Sequence, residues 1–445
     1  MKLQSILQFF FVLPILPVFA NKAASACRCL YGEPCWPNPN EFAVLASQIS
    51  QPILHPVPPA SACYPPSGSG PSNDCSVVIA NYTKDTWRSD QPGAMQFTNF
   101  ETFIFHNNSI SACYLNTTLR IPCGQGSVPP VGVDARSESD VQIAVNFAKK
   151  NNLKLVVKGT GHDFVGRSTA RGSFLIWTHH MNQTAYNSTF VPKGAPVKTE
   201  NTFNGDFFLV FSHFKWLIIQ YISLAAVTFG AGVQWHDAYD FVQKHGRTVV
   251  GGAAQTVGAA GGWVMGRGPS PLSPMFGLGT VVPFVLLSFN SWNGGTGVDN
   301  VLQFTIILAN GSLVTNNSFQ YPDLFWALRG GGGGTYGVVT SVTYKTYPTF
   351  PLTVVGLSAN SPDIAQNVST KLIRLHPVIS DVGWCAYIDL SNVSLSMFLV
   401  APNASLADTN ATFNPFVHFV DEATGGLIQV TATRFWMVFL SLQRE

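Results

Sequence analysis

The spacing of apolar residues changes period twice between Arg136 and Trp177, and the changes predict a compact helix-to-strand unit. Val141, Ala144, Val145 and Ala148 recur at the interval of one helix face, opened by Ser137 or Ser139 as a cap and stopped by Lys149-Lys150 and Asn151-Asn152. Leu153 to Val157 then reads as a strand. A loop carrying Gly159, Gly161 and Gly166 follows, and a second apolar run resumes from Phe174 to Trp177. Further along, Ala226 to Gly230 and Thr248 to Val250 read as strands on either side of an amphipathic helix, Trp235 to His245, closed by Gly246. Leu302 to Leu308 and Leu313-Val314 flank Ala309-Asn-Gly-Ser, a hairpin signal. From Leu352 onward, Val354-Val355, Tyr387 to Leu390 and Leu395 to Val400 alternate as strands of an antiparallel sheet. The elements add up to an α+β fold.

Composition narrows the class. Of 445 residues, 46% are hydrophobic and 11% charged, with a net charge of +2. That balance suits a globular protein and excludes a disordered one, and the lack of a basic cluster argues against nucleic acid as a partner. Met1 to Ala20 has Lys2, an apolar centre and a small residue at its end, the pattern of a removed secretory signal. Asn-x-Ser/Thr triplets recur from Asn81 to Asn410, including Asn310 and Asn316, in keeping with a secreted glycoprotein. Seven of eight cysteines (Cys27, Cys29, Cys35, Cys63, Cys75, Cys113, Cys123) precede the ordered body, with Cys385 alone after it. Disulfides are expected among the seven, with the pairing open and an odd cysteine left over. No second Cys/His pair matches Cys27-x-Cys29, so no metal site is expected. Residues 21–120, rich in Pro and Ser, read as an irregular disulfide-tied lead-in.

The candidate chemistry lies in the first glycine loop. Glycines let backbone N–H groups approach an anion, so the loop suits a phosphate, and His162 sits within it beside Asp163 and ahead of Gly166-Arg167-Ser168. Two more glycine-dense stretches, Gly251 to Gly268 and Gly330 to Gly334, also abut predicted strands. Three such loops imply a large, extended ligand lying against backbone.

An ordered set of motifs resembles the secreted fungal FAD-linked oxidases, relatives of berberine bridge enzyme with the vanillyl-alcohol-oxidase, or PCMH, type of FAD domain. The set runs from Arg136…Asp140 through Lys158-Gly159-Thr160-Gly161-His162-Asp163 and Gly166-Arg167-Ser168. It continues with Thr256-Val257-Gly258…Gly261-Gly262, Ser270-Pro271-Leu272, Val298-Asp299-Asn300 and Gly330 to Thr340, which includes Val338. The resemblance implies that FAD is covalently bound through His162 to its 8α-methyl carbon. It also implies that the loops Lys158–Asp163 and Thr256–Gly262 hold the diphosphate and adenine side. A small-molecule substrate, an alcohol, sugar or secondary metabolite, would give a hydride to the flavin, and molecular oxygen would reoxidise it to yield hydrogen peroxide.

The chain departs from that pattern in four places. Ala254 stands where doubly attached relatives carry a cysteine, and Gly268-Pro269-Ser270 replaces Gly-His-Ser. Phe207 to Ala225 and Thr280 to Gly297 look inserted, and both read as translated introns; His213, Lys215 and Gln220 argue against the first as a membrane span. The chain also stops short of the family's terminal segment, so no catalytic base can be named, with Tyr387 and Asp389 as guesses. The expected organisation is a signal peptide (1–20), the lead-in (21–120), the FAD-binding domain (121–348) and a truncated substrate domain (349–445). Two alternatives stand beside an oxidase: a flavin-binding product without activity, and a glycoprotein without flavin.

Overall fold

Ser137 decides where the first long helix begins. In the computed structural model, which describes residues 27–65, 74–196, 224–273 and 297–436, its hydroxyl accepts from the Asp140 N–H. The Asp140 carboxylate reaches back to the Ser137 N–H, closing a capping box at the head of the helix Glu138–Lys150. Asp140 also accepts from Ser50 and from the Arg136 backbone, so the same carboxylate ties the lead-in to the helix. Val141, Ala144, Val145 and Ala148 face inward, as their spacing predicts.

This helix connects two strands of a four-stranded sheet in the order Ile53–Leu54, Val131–Asp134, Phe174–Trp177, Leu155–Lys158. The last three are parallel, with Phe174–Trp177 in the middle and buried at every position. A parallel strand must end where its loop can turn outward, so the first glycine loop leaves the sheet at Lys158. A second, antiparallel sheet orders Leu313–Asn316, Val301–Ile307, Val338–Pro348, Leu224–Gly230 and Thr184–Phe190, with Arg247–Val249 also paired to Val338–Pro348. Trp235, Val242, Val264, Phe304, Phe325 and Tyr344 fill the core beneath it.

The third sheet follows a β-α-β-β-α-β course, Pro351–Asn360, Ile364–Asp381, Cys385–Leu390, Ser394–Pro402, Leu406–Thr424, Ile428–Trp436. All its strand pairs are antiparallel. The two helices were not anticipated from the sequence. Pro377 and Pro415 interrupt their patterns, yet Ile364, Val368, Leu372 and Ile379 on one, and Phe413, Phe416 and Val420 on the other, are buried against one face of the sheet. The opposite face meets the second module through Val250, Leu272, Leu352, Val354 and Val400.

The lead-in is more closely integrated than its composition suggests. Three disulfides, Cys29–Cys35, Cys63–Cys75 and Cys113–Cys123, tie it, leaving Cys27 and Cys385 as thiols. Cys29 bridges to Leu153 beside the first sheet. The signal segment and nearly all of both apparent insertions lie outside the described residues. Leu224 and Ala225, at the end of the first insertion, already belong to a strand, and Gly297 opens a short turn into Asn300. Among the described residues no helix is long and apolar enough to cross a membrane.

Candidate functional site

The three glycine loops, distant in sequence, meet in space. His162 Nε2 lies 2.7 Å from Thr256 Oγ1, joining the first loop to the second. The Gly332 N–H donates to the Met265 carbonyl at 2.9 Å, and a Cβ on Gly333 would lie 3.0 Å from Gly262 Cα, joining the second to the third. A Cβ on Gly332 would lie 2.9 Å from the Arg167 guanidinium, which closes the ring of contacts. Sequence reading identified the loops, and the fold brings them together.

The first loop is pinned from beneath by Gln96, which sequence reading placed in an irregular lead-in, and by Trp177 of the central strand. The Gln96 N–H donates to the Gly161 carbonyl at 3.0 Å, and Trp177 Nε1 donates to the Gly159 carbonyl at 3.0 Å. Gly161 has φ +85°, and a Cβ there would lie 3.0 Å from the Ala94 carbonyl oxygen, so both backbone conformation and space demand glycine. Asp163 accepts from the Val165 and Ser168 N–H groups, folding the loop back on itself. Thr160 is buried.

Lys158 behaves differently from its neighbours. Its ammonium is buried and donates to the carbonyls of Gln91 at 2.5 Å and Pro92 at 3.1 Å, so its side chain is not available to a ligand. Burial pushes it down to about 7, opposed by the Glu101 carboxylate and reinforced by Arg88. Glu101 in turn is paired with the buried Arg88 and accepts from the Met95 N–H. Val338 is likewise buried, paired through its backbone with Ile307, so its side chain serves the core.

His162 itself is pushed down to about 4, chiefly by burial, with Asp85 opposing. Its imidazole is therefore neutral at ordinary pH and keeps a nucleophilic lone pair. On the second loop, Val257 is fixed by accepting from the Trp235 N–H, and Gly258 pairs with Gln234. A Cβ on Gly258, Gly261 or Gly262 would meet no atom of the described residues within 4 Å. The packing of the described residues does not require glycine at those three positions, and bare backbone there leaves room for a ligand. A neutral nucleophilic histidine, a loop of close-approach glycines and a second bare glycine stretch together fit a flavin dinucleotide.

Comparison with known proteins agrees. Residues 129–191 match the FAD binding domain family. One FAD-linked oxidoreductase of Arthroderma benhamiae is 34% identical over 94% of this chain and 68% of its own length. The chain belongs to the FAD-linked oxidoreductases. A second relative from the same organism is 38% identical over 83% of this chain, which spans 56% of that protein's length. The VAO-type flavoprotein MtVAO615 from Myceliophthora thermophila C1 superposes with a TM-score of 0.70 at 26% identity, covering 92% of this chain and 66% of that one. The oxidoreductase thus has the PCMH-type FAD fold that its motifs implied.

The third sheet lies against the turn that follows the second glycine loop. Cys385, Tyr387 and Phe398 project from the face opposite its helices, with Tyr387 and Phe398 opposed in register and their rings stacked 6.1 Å apart. Tyr387 Oη donates to the Pro269 carbonyl at 3.5 Å, and Cys385 Sγ lies 3.6 Å from the Ser270 carbonyl. Burial pushes the Tyr387 phenol up and the Cys385 thiol up to about 11, so both stay neutral. Asp389, farther along the strand, is exposed. Pro269, the departure noted in the sequence, thus contacts the third sheet through its carbonyl. A separate cavity of about 360 Å³, lined by residues including Arg136, Glu138, Gln183 and Thr340, touches none of the glycine loops. Buried Cys29 and exposed Glu33 and Cys35 lie close together, but both sulfurs are spent in their disulfide.

Proposed function

We propose that this oxidoreductase is a secreted oxidase that removes a hydride from an alcohol, sugar or secondary-metabolite substrate. The acceptor is FAD attached through His162, and molecular oxygen takes up the electrons as hydrogen peroxide. The observation that carries the reading is the contact between His162 and Thr256 at the meeting of the glycine loops, with the imidazole neutral. FAD held there supplies the hydride acceptor. The chain's part is to hold and orient: the Gly159–Ser168 loop and Thr256–Gly262 offer backbone to the dinucleotide. The Cys385, Tyr387 and Phe398 face presents neutral polar and aromatic groups to a substrate. A neutral phenol donates a hydrogen bond, so Tyr387 suits substrate positioning better than proton abstraction. The three disulfides support an oxidising compartment.

The test is acid precipitation of the secreted protein followed by a denaturing gel. Flavin fluorescence is expected in the protein band and is expected to vanish in His162→Ala. Peroxide release on a panel of alcohols and sugars then tests turnover. A protein that keeps the fluorescent band but releases no peroxide with any substrate would be a flavoprotein without oxidase activity.

A further inference from the structure

We propose that Asn107, Asn116, Asn187 and Asn310 are N-glycan acceptors preset by local turns, and that the glycan on Asn187 shields the exposed edge of the second sheet. The inference rests on the secretion proposed above and adds which triplets are modified and what one glycan does.

The Asn-x-Ser/Thr triplets fall into three groups by what holds the asparagine. In the first, the side-chain carbonyl accepts from the residue two positions on. Asn107 Oδ1 accepts from the Ser109 N–H at 3.1 Å and its hydroxyl at 2.7 Å. Asn116 Oδ1 accepts from the Thr118 N–H at 3.1 Å and its hydroxyl at 2.6 Å. Asn187 Oδ1 accepts from the Thr189 N–H at 2.9 Å and its hydroxyl at 3.4 Å, and Asn310 Oδ1 from the Ser312 N–H at 2.9 Å. All four asparagines are exposed. In the second group, Asn182, Asn367, Asn392, Asn403 and Asn410 are exposed without such a bond among the described residues. In the third, Asn81 is half-buried, with its Nδ2 donating to the Val77 carbonyl at 2.8 Å, and Asn316 is fully buried.

A turn of the first kind favours transfer of a sugar. Attachment joins Asn Nδ2 to C1 of the donor sugar and breaks the bond from that carbon to the diphosphate of a lipid-linked oligosaccharide. The lipid diphosphate and one amide proton leave, and nothing is oxidised or reduced. An engaged carbonyl oxygen fixes the carboxamide plane, so the acceptor loses less conformational freedom when its nitrogen is presented to that carbon. The turn spans three residues and forms on the chain before the fold does. In the finished protein the glycan hangs from Nδ2, and every bond to Oδ1 is kept.

Asn187 differs in its place. Its strand, Thr184–Phe190, ends the second sheet and pairs on one side only among the described residues, with Leu224–Gly230. The register shifts between Asn187 and Phe190, and the Asn187 turn occupies that bulge. A bare edge offers N–H and C=O groups to a strand of another molecule. A bulky, hydrated glycan at the bulge blocks that approach.

The experiment uses the full chain exported by a eukaryotic host. A glycosidase that leaves aspartate at each modified asparagine, followed by peptide mass mapping, reads occupancy site by site. Near-complete occupancy is expected at the four preset asparagines, less at the five exposed ones without the turn, and none at Asn81 or Asn316. Thr189→Ala is expected to lose the glycan at Asn187, and Thr189→Ser to keep it. Glycan removal from the folded parent and Thr189→Ala are both expected to shift the protein to larger species in light scattering, while Asn107→Gln and Thr189→Ser stay at the parent size. Equal occupancy in the first two groups would overturn the role of the turn. A parent size retained both by Thr189→Ala and after glycan removal would overturn the shield. Exported protein bare at the four sites would overturn this inference alone, whereas a folded protein that never leaves the cell and carries no glycan would overturn the secreted reading with it.

Discussion

Lys158 shows how a residue within a recognised motif can serve the scaffold. A lysine beside a glycine loop invites assignment to a phosphate, but its ammonium is spent on two carbonyls of the 85–101 segment. Its proton is lost at about 7 in the fold and near 10.4 in an unfolded chain. Below about 7 both states hold the proton and the cost of burying the charge is constant. Between about 7 and 10.4 the unfolded chain holds more protons, so stability rises with pH. Melting temperatures measured at about pH 7 and about pH 9 should therefore rise in the parent, by the equivalent of about 1 kcal/mol or more. Lys158→Met should show a flatter response over that interval. Burial pushes the Glu101 carboxyl up, while Arg88 beside it opposes the rise. At the same scale, Asn316 begins a glycosylation triplet but is fully buried, which removes it from the acceptors that the sequence suggested.

At the scale of elements, the glycines divide by what surrounds them. Gly161 is required by the fold itself, because of its positive φ and the Ala94 carbonyl close by. Gly258 has open space where a Cβ would lie. Gly161→Ala should cost about 1–3 kcal/mol in thermal or denaturant unfolding of the flavin-free protein. Gly258→Ala should leave that unfolding within about 0.5 kcal/mol of the parent and yet weaken FAD binding, read by fluorescence quenching in a His162→Ala background. Equal effects on stability would show that the second loop's glycines serve the chain and not the ligand. The sequence made these loops and their flanking strands legible, since a run of apolar residues broken by glycine admits few alternatives. The capped helix Glu138–Lys150 was equally legible, because Ser137 and Asp140 carry the whole signal locally. The helices Ile364–Asp381 and Leu406–Thr424 were not, because their internal prolines mimic stops while burial on the sheet overrides the local cost.

At the scale of the molecule, two sets of interactions keep the walls of the site together. Leu272, next to the Pro269–Ser270 turn, packs with Val250, Leu352, Val354 and Val400 across the junction of the third sheet and the second module. Leu352→Ala should destabilise by about 2–5 kcal/mol. Because the same core registers Tyr387 over Pro269, it should also raise KM, measured by peroxide release, more than it lowers flavin content. The disulfides act on the other side. They close short loops, with separations of 6, 12 and 10 residues, within the lead-in, part of which braces the first glycine loop. This explains how a segment that reads as irregular can hold a precise position: its order comes from cross-links and from contacts with residues far along the chain.

The sequence alone determined the glycine loops, the histidine within the first of them and the strand-to-loop-to-strand unit around it, because those depend on residue type and spacing over a few positions. Tertiary structure decided that Thr256 faces His162 across a separation of 94 residues and that Arg167 stands over Gly332. It also turned Lys158 inward and set Tyr387 against Pro269. Those pairings arise from how three sheets and their shared cores stack, and contacts between distant segments leave no period or motif in a single chain for the reader to find.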